Sequence, residues 1–234
     1  IYSKHIEMWK DNFLWFQEMF KKYDIPWSAI YLLEIRNAEW GKQSILHFQE
    51  FIDFLIKWIF YNPCNGNTNK FINFLLRGGY NILRSPLTTI GRGLGCSIQS
   101  TFTIRLGDLA VVPCHRLSYD TFIYGYMTTD NGKITGIKAH NPELMVAITS
   151  LDGKNMPMCQ SCLIKDLCSL GCLGSQFEIT GDMFSPIPTV CQLEHAKLAA
   201  MVRSYSEIGM FDLICDRIKV EKADALRYIK EVVK

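Results

Sequence analysis

From Lys4 to Lys22, apolar residues recur at Ile6, Trp9, Phe13, Phe16 and Phe20, the three-four spacing of an amphipathic helix packed on something larger. Asp24, Pro26 and Ser28 then punctuate the chain. The run Ala29-Ile30-Tyr31-Leu32-Leu33-Glu34-Ile35-Arg36 is nearly continuous in apolar character and predicts a buried parallel strand, with Glu34 and Arg36 at its carboxyl end. Helical spacing returns from Gln43 to Asn62, with Ile45, Phe48, Ile52, Leu55 and Ile59 inward. Helix, strand, helix is the rhythm of an α/β barrel.

The pattern then changes. Asn62 to Asn67 is a turn-rich break, Asn69 to Arg77 a short helix stopped by Gly78-Gly79, and Tyr80 to Gly95 a connection holding Pro86. Gly91-Arg92-Gly93 lacks the flanking strand and helix of a phosphate loop, so backbone room beside Cys96 is the expectation there. Thr101 to Leu106 and Ala110 to Pro113 predict a hairpin ending on Cys114, and Phe122 to Thr129 with Lys133 to Lys138 a second one turned by Asn131-Gly132. Asn141 as cap, Pro142 at the first position and Glu143 on the dipole open a helix reaching about Leu151. After Cys191 a helical pattern runs to Asp216 with Leu198, Met201, Val202, Tyr205 and Ile208 inward, and Ala223 to Val233 forms a last amphipathic segment.

Composition narrows the function classes. A chain of 234 residues, 48% apolar, can bury one or two real cores. A net charge of +2 argues against a nucleic-acid binder working through a basic surface. No apolar run reaches the roughly 18 residues of a spanning helix, and Lys57 interrupts the best one, so no membrane partner is expected. The chain opens on Ile1, and a start inside a longer protein is the expectation.

The most specific feature is Met158 to Cys172, where Cys159, Cys162, Cys168 and Cys172 are spaced C-x2-C-x5-C-x3-C. Thiolates this close suit a soft metal centre, a zinc ion or an iron-sulfur cluster, with small and polar residues between them letting the backbone turn. Disulfides fit less well: cysteines so close in sequence pair badly, the total of nine is odd, and no cue points to an oxidising compartment. A cytoplasmic location is therefore expected.

These four cysteines, the more distant Cys191, and upstream Cys96 and Pro113-Cys114-His115-Arg116-Leu117 together resemble the SPASM domain of radical S-adenosylmethionine (radical SAM) enzymes that modify peptides and proteins. Seven cysteines fall in the family's order. Where the family usually has glycine five residues before the second cysteine, this chain has Leu109, and the nearest glycine is Gly107. The C-x3-C-x2-C loop that holds the SAM-cleaving cluster is not in this sequence.

The resemblance implies an α/β then α+β chain: the carboxy-terminal part of a partial (β/α) TIM-like barrel over residues 1–62, a connecting segment over 63–95, a SPASM iron-sulfur domain over 96–191 with short β-hairpins, and C-terminal helices over 192–234. It implies two auxiliary [4Fe-4S] clusters. Cys96, Cys114 and Cys172 would hold the first, and Cys159, Cys162, Cys168 and Cys191 the second. The first is one ligand short, and several accounts stand open: an iron left open for a substrate thiolate or other group, a fold-back of Cys64 or Cys215, ligation by His115, or another ligand or solvent. As single residues, Cys64 and Cys215 read as plain buried thiols. His115 and Arg116 would neutralise or hydrogen-bond a cluster, or serve structure alone. Glu34 and Arg36, at the strand end where barrels place their chemistry, would touch SAM or the substrate, or form a strand-end ion pair.

On this resemblance the chain is expected to be the C-terminal portion of a peptide maturase that cross-links a ribosomal precursor peptide through thioether or carbon-carbon bonds. SAM, a third [4Fe-4S] cluster and the rest of the barrel would complete the enzyme, with flavodoxin or ferredoxin as electron donor. The alternative is a non-catalytic zinc- or cluster-stapled domain that binds a peptide or partner.

Overall fold

A computed structural model describes residues 3–25, 40–61, 97–151, 156–165, 168 and 171–209. They fall into two compact units, one within Ile1–Ile90 and Ile187–Lys234 and the other within Gly91–Pro186. The strand expected at residues 29–36, the connection at 63–95 and the last amphipathic segment lie outside the described residues.

In the first unit, the amphipathic stretch opens as a 3-10 turn, Ser3–Met8, and continues as helix α1, Trp9–Tyr23. Asp24 closes it in the left-handed conformation, its N–H donating to the Phe20 carbonyl. Ile6, Phe13 and Phe20 are buried as their spacing predicts, whereas Phe16 stays exposed. Helix α2, Lys42–Tyr61, offers Phe48, Phe51, Ile52, Leu55 and Ile56 to the core. Edge-to-face ring pairs join the two helices: Trp9 on Phe51 at 5.1 Å, and Phe13 on Phe54 at 5.7 Å and on Trp58 at 5.2 Å. Trp40 is buried and packs edge-on against Phe48, with ring centroids 5.8 Å apart.

The long C-terminal helix, here α5 (Pro188–Glu207), packs on α2. Ala196, Ala199 and Ala200 are small enough to let the two backbones approach, and Leu193, Met201, Val202 and Tyr205 fill what remains. Polar pins fix the register. Gln49 Nε2 donates to the Ala196 carbonyl at 3.3 Å, Ser204 Oγ donates to Asp53 Oδ1 at 2.6 Å, and Lys57 bridges Asp53 and Glu207. The hydrogen bond from Lys57 to Glu207, then that to Asp53, raises the lysine's pKa. The helix begins before Cys191 and ends at Glu207; residues 210–216 of the expected helical pattern lie outside the described residues.

The second unit carries a four-stranded antiparallel sheet in sequential order: β1 (Thr103–Arg105), β2 (Ala110–Val112), β3 (Gly125–Asp130) and β4 (Lys133–Ala139). Both predicted hairpins form. In the first, Thr103 faces Val112 and Arg105 faces Ala110. Its turn requires a left-handed residue at position 109, and Leu109 takes φ +59°. In the second, Asn131 (φ +49°) and Gly132 (φ +76°) supply the two left-handed residues of a hairpin turn. The expected start of β3 at Phe122 is corrected to Gly125. Asp120–Phe122 instead form a 3-10 turn that buries Phe122, and the Tyr124 N–H goes to the Val111 carbonyl at 2.8 Å.

Helix α3 (Pro142–Thr149) starts as read: the Asn141 side chain accepts from the Leu144 N–H at 3.1 Å, and Pro142 stands in the first turn. Helix α4 (Leu173–Thr180), which the cysteine spacing concealed, follows Cys172 directly and is closed by left-handed Gly181. The core of this unit joins Ile98, Val111, Leu117, Phe122, Tyr124, Ile148, Leu151, Met156, Leu173 and Met183, with Cys114 and Cys159 packed against it. Among the described residues no helix is long and apolar enough to cross a membrane.

Candidate metal centre

Cys114 leaves the end of β2 half-buried, one residue past the buried Pro113, because Ala110, Val111 and Val112 are all buried and carry the strand into the core. Cys159 ends a 3-10 turn, Pro157–Cys159, and the N–H of Cys162 returns to the Cys159 carbonyl at 3.0 Å. The Lys165 N–H returns to the Cys162 carbonyl at 3.3 Å, and the Cys168 N–H reaches the Ile164 carbonyl at 2.9 Å. Burial pushes the Cys159 thiol pKa up, and the neighbouring Cys162 adds to it. Cys172 caps α4, and Cys191 lies in the first turns of α5, in the other unit.

All six of these cysteines are thiols. Among the described residues no group of three or more histidine, cysteine, aspartate or glutamate side chains is gathered into a metal-holding arrangement. Cys96, Cys64, Cys215, Glu34 and Arg36 lie outside the described residues. His115 is exposed on the loop after Cys114.

The feature that joins distant parts of the sequence is Arg116. Its side chain is buried, at 7% exposure. One terminal nitrogen, Nη1, donates to Cys172 Sγ at 3.5 Å and to the buried Ser175 hydroxyl, while Nη2 donates to the Glu178 carboxylate. Ser175 and Glu178 sit three apart on α4, one turn of the same helix face. Gly174 makes the approach possible: a Cβ built there would lie 2.7 Å from Arg116 Cβ. The segment after Cys114 is thereby bolted to the start of the helix that Cys172 caps.

Tyr124 belongs to the core against which Cys114 packs. Its ring is in the core, and its hydroxyl is buried with no hydrogen-bond partner among the described residues. Burial, with the charge of a Cys114 thiolate behind it, pushes the phenol pKa up to about 12, so the group keeps its proton. An unpaired buried hydroxyl costs about 1–3 kcal/mol. Among the described residues nothing accepts its proton.

Compared with known proteins, the chain matches no family model, no curated protein and no solved structure. Its chemistry is read from the side chains alone. Sequence reasoning singled out Cys114, Arg116 and Cys172 but missed Gly174, Ser175, Glu178 and Tyr124. The available signal was Leu173-Gly174-Ser175-Gln176-Phe177-Glu178 ahead of Gly181, a short helix with its terminating glycine.

Proposed function

We propose that this chain is the C-terminal portion of a radical SAM/SPASM peptide maturase, with Cys96, Cys114 and Cys172 assigned to one auxiliary [4Fe-4S] cluster and Cys159, Cys162, Cys168 and Cys191 to the other. The observation that carries the reading is the contact from Arg116 to Cys172 across 56 residues, which ties the segment of one assigned thiol to another. Two further features support it. Leu109 holds the left-handed φ that the family's usual glycine at this position would suit. The Tyr124 hydroxyl, without a partner among the described residues and in the core that Cys114 packs against, fits a sulfur-rich group that accepts a hydrogen bond.

When bound, such clusters supply one-electron redox capacity and iron able to take a substrate thiolate. The protein's own residues provide the setting. Val111, Leu117, Phe122 and Leu173 exclude water around Cys114 and the start of α4. Arg116 brings fixed positive charge to the Cys172 sulfur, and Glu178 holds its guanidinium in orientation. Tyr124, kept protonated, is a donor without charge. In this reading the substrate is a ribosomal precursor peptide cross-linked through a thioether or carbon-carbon bond. SAM, a third cluster, the rest of the barrel and a flavodoxin- or ferredoxin-like donor complete a cytoplasmic enzyme.

The test is metal content. After anaerobic purification, iron, labile sulfide and zinc are measured per chain. About eight irons with matching sulfide are expected for two [4Fe-4S] clusters. Zinc without sulfide overturns the redox reading and leaves a stapled partner-binding domain.

A further inference from the structure

We propose that Arg116 is the positioning residue of the centre assigned to Cys114 and Cys172, and that its N–H donation to the Cys172 sulfur raises that centre's reduction potential relative to the other. This rests on the iron-sulfur reading above and deepens it.

A buried guanidinium is costly unless its donors are met and its charge is balanced. Here α4 meets the two terminal nitrogens: Ser175 and the Cys172 sulfur accept from Nη1, and the Glu178 carboxylate accepts from Nη2 and balances the charge. Gly174 is the structural signature of the arrangement. Glycine inside a helix costs up to about 1 kcal/mol against alanine, yet its missing side chain is the space in which the arginine stem lies. The helix gives up intrinsic stability at the one position where a methyl group would push the guanidinium off the sulfur.

Two consequences follow from this geometry. The Cys114 segment and Cys172 are held together before any metal arrives, so they need not be ordered during loading. Reduction adds negative charge at the cluster sulfurs, and a donor fixed against one of them favours the reduced form. Lysine at this position keeps the charge but lacks the fork that reaches sulfur, hydroxyl and carboxylate at once.

The experiment uses the full chain, purified or reconstituted anaerobically, with iron and sulfide counted and each cluster's potential followed by spectroscopically monitored redox titration. In Arg116→Gln, one cluster's reduction equilibrium is expected to weaken about tenfold, a fall of about 59 mV for one electron, while the other stays in place. Arg116→Lys recovers part of the shift. Gly174→Ala keeps the arginine, displaces it, and moves the same potential in the same direction, so a failure of Arg116→Gln to fold still leaves a reading. Loss of only about four irons from Arg116→Gln, with helix content retained, also supports the positioning role. Two loaded clusters whose potentials do not move in either variant overturn this inference and leave the iron-sulfur reading standing. A wild-type chain without iron and sulfide overturns both.

Discussion

At single positions, the backbone of the sheet depends on residues that tolerate left-handed geometry, and they do so unequally. Gly132 has open space where a Cβ would go, so replacing it isolates conformation from packing. Gly132→Ala is expected to cost about 1 kcal/mol, read as a lowered urea midpoint with unchanged slope. Gly125 differs: a Cβ there would sit 2.5 Å from the Lys138 carbonyl oxygen, inside the β3–β4 ladder. The Asn131-Gly132 turn was legible in the sequence because that dipeptide has a mechanism. The strained Leu109 was not, since leucine carries no signal for φ +59° and only the hairpin closing around it demands one. Arg116 was legible as a candidate, but its seat was not. Gly174, Ser175 and Glu178 are unremarkable letters until α4 turns one face to the arginine.

Among the elements, the β1–β2 hairpin is held at its turn by charge. Arg105 donates through Nε to both Asp108 oxygens at 2.9 and 3.0 Å, through Nη2 to Asp120 at 2.8 Å, and through Nη1 to the Ser118 carbonyl at 3.1 Å. The Arg105 hydrogen bond, before any other cause, holds the Asp108 carboxyl below its ordinary value of 3.8. A depressed carboxylate contributes stability above its unfolded pKa and loses it as pH falls through the folded one. The wild type is therefore expected to exceed Asp108→Asn in urea midpoint at pH 6, with the gap closing below about pH 3.8. A gap that persists at pH 2 would assign the effect to packing instead. Helix α3 gives a second check: Asn141→Ala removes the acceptor of the Leu144 N–H and is expected to cost about 1 kcal/mol by thermal melting. Periodicity and caps made α1, α2, α3 and both hairpins readable. Helix α4 escaped because its eight residues follow the cysteine loop without a capping side chain, and their hydrophobic pattern is weak.

Across the whole molecule, the first unit's core joins residues far apart in sequence, α2 with α5, whereas the second is built from the continuous stretch Gly91–Pro186. Periodicity told which faces of α2 and α5 were apolar but could not pair them, because the pairing lies in Gln49 reaching Ala196 and Ser204 reaching Asp53. Leu55 is fully buried in that interface-forming helix. Leu55→Ala is expected to cost about 2–5 kcal/mol, with amide exchange accelerated in α2 and α5. The arginine bridge of the second unit carries a consequence in time. The ribosome emits about 5–20 residues per second, and Arg116 precedes its sulfur partner by 56 residues. Arg116 is thus added to the chain roughly 3–11 s before Cys172. Through that interval the Cys114 segment lacks the partner that fixes it in the folded protein, so the bridge closes only once α4 has been made.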